Sequence, residues 1–107
     1  MSLVDDLSPD LSGKQRRHLR SLGHALKPIV LVGQRGITDN LIENLTIALN
    51  DHELVKVKVH DSDALEEVAK QLVEKTESAV VQSIGKILLF YKAHPDEPTI
   101  TLPKKDS

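Results

Sequence analysis

Between Ser12 and Tyr91 the spacing of apolar residues switches repeatedly from helical to strand-like, and this alternation restricts the chain to few architectures. A helix buries a stripe at intervals of three and four residues; a strand buries every second residue, or all of them when both faces are covered. Ser12 and Gln15 have the S-x-x-Q spacing of a capping box, so a first helix starts there. Leu19, Leu22 and Leu26 mark its buried stripe, and Lys14, Arg17, Arg20 and His24 fall on the opposite side. Pro28 stops this helix and biases Lys27 toward an extended conformation. Pro28–Val32 (PIVLV) is a continuous apolar run and predicts a strand covered on both faces.

A second helix is expected from about Thr38 to Asn50, capped by Thr38 or Asp39. Val55–Val59 alternates valine with lysine, the pattern of a half-exposed strand with Lys56 and Lys58 on its open face. Asp63 and Glu66 are spaced as a further capping box, ahead of a helix carrying Leu65, Val68, Ala69, Leu72 and Val73. Ala79–Ile84 and Lys86–Tyr91 read as strands hinged at Gly85. The tail from Ala93 holds Pro95, Pro98 and Pro103 and is expected to be extended without joining the sheet. The order αβαβαββ predicts an α/β fold: a four-stranded mixed sheet packed with helices.

At 107 residues the chain suffices for one hydrophobic core. It has no cysteine, which excludes disulfides and thiolate chemistry, and no apolar run long enough to cross a bilayer. The first ten residues hold three aspartates and no cation, unlike a secretory or transit peptide. Residues 1–10 are therefore expected to be a short, flexible acidic lead, and the protein to be cytoplasmic.

The net charge of −2 hides an uneven distribution. From Ser12 to Arg35 there are six cations (Lys14, Arg16, Arg17, Arg20, Lys27 and Arg35) and no carboxylate. Such a block is either a solvated helix face or a surface for an anionic partner. Gly33-Gln34-Arg35-Gly36 lies between a strand and a helix start. Glycines at its ends allow positive φ and close approach of a ligand, the helix start offers free N–H groups, and Arg35 adds a forked phosphate donor. A G-x-x-G loop of this kind clamps nucleic-acid backbone in KH-type domains. Lys56 and Lys58 could extend a phosphate track. With one Phe and one Tyr, adjacent as Phe90 and Tyr91, the chain lacks a base-stacking platform. One of the two is expected in the core and the other outward, able to stack a single base.

Catalysis finds little support. The loop has neither the G-x-x-x-x-G-K-[ST] nor the G-x-G-x-x-G pattern. His18 and His24 lie on different sides of the helix and make no metal pair, and no nucleophile elbow is present. No cofactor, metal or small-molecule substrate is expected.

Four runs taken in order, LSGKQRRHLRSLGHALKPIVLVGQRGIT, HELVKVKV, VVQSIGKILLFYK and ITLPKK, resemble the CRM domain (chloroplast RNA splicing and ribosome maturation), above all its single-domain bacterial YhbY-type form. The likeness extends over about residues 11 to 105. It implies one RNA-binding domain over that range, similar in fold to the C-terminal domain of bacterial translation initiation factor three. It also implies association with precursor large-subunit ribosomal RNA, with ribosomal proteins as further candidate partners. The family's loop corresponds to Gly33, Gln34, Arg35 and Gly36, and its basic face to the first helix with Lys56 and Lys58. The competing expectation is a protein-interaction module that docks an acidic partner on the same cations.

Overall fold

The computed structural model describes residues 3–104. Helix α1 spans Leu3–Leu7, α2 Gly13–Gly23, β1 Pro28–Val32, α3 Asp39–His52, β2 Leu54–Val59, α4 Leu65–Thr76, β3 Ala79–Ile84 and β4 Ile87–Tyr91. From α2 onward this is the expected αβαβαββ order. The capping box forms: Ser12 Oγ accepts from the Gln15 N–H at 3.1 Å, and Gln15 Oε1 accepts from the Ser12 N–H at 3.1 Å. Thr38 caps α3, its hydroxyl accepting from the Leu41 N–H at 3.1 Å. The expected Asp63/Glu66 box does not form. Asp61 instead accepts from the Asp63 N–H at 2.9 Å and opens a 3₁₀ turn over Ser62–Ala64, so α4 starts without a side-chain cap.

The acidic lead departs from expectation. Its α1 packs Leu3, Val4 and Leu7 against the core while Asp5 and Asp6 stay outside. The Leu3/Leu7 interval is one helical turn, so even this short segment can present an apolar side. Residues 1–2 and 105, at the outer ends of the expected lead and domain, lie outside the described residues.

The sheet order is β1-β2-β4-β3, with β1 parallel to β2 and the other neighbours antiparallel. One face carries Val30, Val32, Val55, Val57, Val59, Leu88 and Phe90, which pack on Leu41, Leu45 and Leu49 of α3 and Val68 and Leu72 of α4. The other carries Leu54, Val81, Leu89 and Tyr91 against Leu19 of α2, with Ile100 and Leu102 of the tail. Phe90 and Tyr91 thus point to opposite faces, but each enters a core. Tyr91 is 7% exposed, which overturns the expected outward aromatic.

A single helix about 10 Å wide cannot cover four strands spaced about 4.8 Å apart. The second face is therefore only half covered. Ile29 and Leu31 of β1 are exposed, against the expectation of a strand buried on both faces. The predicted stripe of α2 is corrected in the same way. Leu19 is fully buried, but Leu22 and Leu26 are exposed: the face that meets the sheet is Gln15, Leu19 and Gly23, which leaves Leu22 to one side, and Leu26 lies beyond the helix end at Gly23. Gly23 seats directly on the sheet: a Cβ there would stand 2.6 Å from Leu89 Cδ2. Gly23→Ala is expected to destabilise the fold by about 1–3 kcal/mol through overpacking, read as a lower urea midpoint.

Among the described residues the tail joins no strand, as expected, and it is tied down by a residue the sequence did not single out. Glu53 ends α3 at φ 63°, a conformation that favours glycine. Glu53 as a whole is 2% exposed. It accepts from the N–H groups of His94 (2.9 Å), Thr99 (2.6 Å) and Ile100 (3.0 Å), and from the Thr99 hydroxyl. Burial alone would raise its pKa; these donors outweigh burial and lower it to about 2. Further along, the Pro103 carbonyl accepts from Gln15 Nε2 at 2.9 Å, which fastens the tail to α2.

Candidate nucleic-acid interface

The half-covered face positions most of the candidate cations. Lys56 and Lys58 alternate with the buried valines of β2 and so lie on the α2 side. Cross-strand pairing sets Leu31, Lys58, Ile87 and Ile84 in one row, from β1 through β2 and β4 to β3. Leu31 and Ile84, at the two ends of that row, are each 63% exposed.

The glycine loop lies at the end of β1 next to this row. The Gly36 N–H donates to the Gly33 carbonyl at 3.0 Å, forming a tight turn with Gln34 and Arg35 exposed at its tip. Gly36 has φ 72°, whereas Gly33 has no positive φ, so only one of the two glycines is needed for backbone conformation. At both positions the space a Cβ would occupy is open. Gly36→Ala is therefore expected to cost about 1 kcal/mol of stability and Gly33→Ala less than about 0.5 kcal/mol, by thermal or denaturant melts. The loop and the start of α3 enclose a shallow hollow lined by Arg35, Gly36, Thr38 and Asn40. Asp39 stands in the first turn of α3 and weakens the pull of that helix end on anions.

The β3–β4 hairpin turn sits at the same end of the sheet. The Val59 N–H donates to the Lys86 carbonyl at 2.8 Å, and the next amide, of His60, donates to Val32 at 2.9 Å. Lys86 and His60 are exposed beside the glycine loop. Sequence reading passed over both, although a lysine at a hairpin tip is a usable signal. Arg17 and Arg20 line a groove with Gln82 and Ser83 at the hairpin end of β3. Arg16 shares that groove but is committed to structure. It pairs with Asp5 at 3.2 Å and donates to the Ser8 and Leu11 carbonyls at 3.1 and 2.7 Å.

Arg17, Arg20, Lys58, Lys86 and Arg35 thus gather at one end of the sheet. They spread from β3 to β1, three strand spacings or roughly 14 Å. Lys14 and His24 are exposed near the two ends of α2. Lys27 is not brought to the loop: it precedes β1, at the other end of that strand, and there shares an apolar hollow with Lys56. Among the described residues the ion pairs are Arg16–Asp5 and Lys70–Glu66, so none of the other candidate cations is neutralised in that way. No helix among the described residues is long and apolar enough to cross a membrane, and none of their His, Asp and Glu side chains form a group of three suited to a metal.

Comparison with known proteins adds an independent line. The chain is 40% identical over 97 residues to a Haemophilus influenzae protein named "RNA-binding protein", covering 89% of this chain and 97% of that one. It is 41% identical over 95 residues to the Bacillus subtilis "Probable RNA-binding protein YqeI", covering 87% and 99%. The solution structure of a hypothetical protein from Staphylococcus aureus superposes with a TM-score of 0.75 at 40% identity, covering 87% of this chain and 99% of that one. The profile of the CRS1/YhbY (CRM) domain matches residues 11–92. With most of its length matched in this way, the chain belongs to the CRS1/YhbY (CRM) domain family.

Proposed function

We propose that this protein binds structured RNA as a non-catalytic factor, and that its RNA is precursor large-subunit ribosomal RNA during ribosome assembly. The observation that carries the reading is the set of cations at the hairpin end of the sheet, Arg17, Arg20, Lys58 and Arg35, which form no ion pair among the described residues. Relatives named as RNA-binding proteins support it. In this reading phosphates run across the strand ends from the α2 groove to the glycine loop. Open space at Gly33 admits a phosphate close to the backbone. With both aromatics in the core, affinity comes from phosphate and shape rather than from base stacking.

Titration of ribosomal RNA fragments at several salt concentrations tests this. Roughly four to six phosphate contacts give a log–log slope of about −3 to −5. A flat salt response removes the proposal. Crosslinking in cells, with sequencing of the attached RNA, tests the ribosomal assignment; reads scattered evenly over messenger RNA would remove it. Exposed Leu31 and Ile84, at the two ends of the row that holds Lys58, favour a second reading, docking of an acidic protein. Pull-downs before and after RNase treatment separate the two, because only a protein partner survives digestion.

A further inference from the structure

Lys27 and Lys56 stand apart from the cluster at the hairpin end, and so do three exposed apolar side chains, Leu22, Leu26 and Ile29. All five belong to one place. A half-open pocket of about 380 Å³ lies where the end of α2 meets the starts of β1 and β2. Leu22, Leu26 and Ile29 line it, Ile100 of the anchored tail contributes, and its polar groups are Lys27, Lys56 and the His52 imidazole. Among the described residues no carboxylate lines it and neither lysine forms an ion pair. Its volume is in the range of small-ligand sites, about 300–1,000 Å³. Three clustered apolar side chains left in water on a cationic face mark a surface that something covers. That occupant has a compact apolar body and a negative charge beside it.

We infer that this pocket receives one unstacked nucleotide of the bound RNA, its base against Leu22, Leu26 and Ile29 and its phosphate between Lys27 and Lys56. The inference rests on the RNA reading above and assigns it a second contact region. Continuity supports a nucleotide. Lys56 and Lys58 project from the same side of β2 two residues apart, roughly 7 Å, so the pocket opens onto the proposed phosphate track. Composition supports it as well. Phe90 and Tyr91 are buried, so the exposed rings left for a base to stack on among the described residues are imidazoles, and exposed His52 lines this pocket. The aliphatic walls beside Lys27 and Lys56 offer a base the apolar contact it loses on unstacking.

The test uses the full chain and two kinds of RNA: a ribosomal hairpin with an unpaired loop, and a fully paired duplex of equal charge. Adenosine 5′-monophosphate should shift the methyl resonances of Leu22, Leu26, Ile29 and Ile100, and inorganic phosphate should leave them in place. Ile29→Asp, at a position already 57% exposed, should weaken the looped RNA about tenfold and the duplex much less. Leu26→Gln should act the same way and guards against a folding defect peculiar to β1. If the looped RNA binds with the expected salt slope but both variants bind it normally and the methyls stay still, the pocket assignment is wrong and the RNA reading survives. If neither RNA binds, both fall. An acidic peptide that moves these methyls when the nucleotide does not would also overturn the assignment.

Discussion

Replacing Arg17, Arg20 and Lys58 together by glutamine should lower affinity for structured RNA on the order of a hundredfold at moderate salt and flatten the salt slope by about 2 to 3. Each removed phosphate contact takes close to one released counterion with it, so the slope reports contact number while the intercept reports affinity. The fold should barely change. Arg17 and Lys58 are exposed, and the aliphatic part of Arg20 is only partly covered; surface changes of this kind stay within about 0.5 kcal/mol each. Arg35→Glu in the same assay isolates the glycine loop, since its side chain is exposed at the turn tip. Loss of affinity in the triple variant with none in Arg35→Glu would confine binding to the α2 side. Unchanged affinity and slope in the triple variant would refute the proposed phosphate track.

The largest stability effect is expected at Glu53. Its carboxyl falls from 4.5 to about 2 in the folded protein, because buried donors from Thr99, His94 and Ile100 outweigh desolvation. A depressed carboxyl stabilises the fold at pH values above the unfolded pKa, and that contribution disappears as pH falls from about 4.5 toward 2. The shift corresponds to about 3 kcal/mol. Glu53→Gln should therefore lose stability of that order at neutral pH, and the gap between the variant and the parent should close in acid. Urea melts at a series of pH values read this directly. The tail should loosen first, seen as faster exchange of the Thr99 and Ile100 amides, whose partner is the Glu53 carboxylate. A gap independent of pH would mean that Glu53 acts through the acceptor geometry it offers Thr99 and Ile100 and not through its charge.

Most local signals were legible; the Asp63/Glu66 box, equally local, failed because Asp61 takes the Asp63 amide two residues earlier. The Ser12–Gln15 box, the Thr38 cap, the alternation of Val55–Val59 and the hairpin at Gly85 each depend on residues within one turn or one strand, and each formed. PIVLV was misread because an unbroken apolar run has no period, so it cannot say whether a second layer exists. The stripe of α2 was overextended because Gly23 was not recognised as a contact point with Leu89, a residue 66 positions away in the chain. Glu53 was legible only as part of a motif. Its partners lie 41 to 47 residues downstream, and nothing local distinguishes it from a solvated acid.

From Ser12 onward the amino-acid order alone determined which segments become helices and strands, and that most of an acid-free block of cations would belong to α2 and the loop after β1. Those outcomes follow from side-chain periodicity and from nearest-neighbour backbone geometry. Tertiary structure decided how the cations are divided. The β1-β2-β4-β3 order and the limited width of α2 set Arg17, Arg20, Lys58 and Arg35 at one end of a half-covered face. They left Lys27 and Lys56 beside an apolar pocket at the other end. Strand order and coverage depend on which distant surfaces pack together, and no spacing within a single segment contains that information.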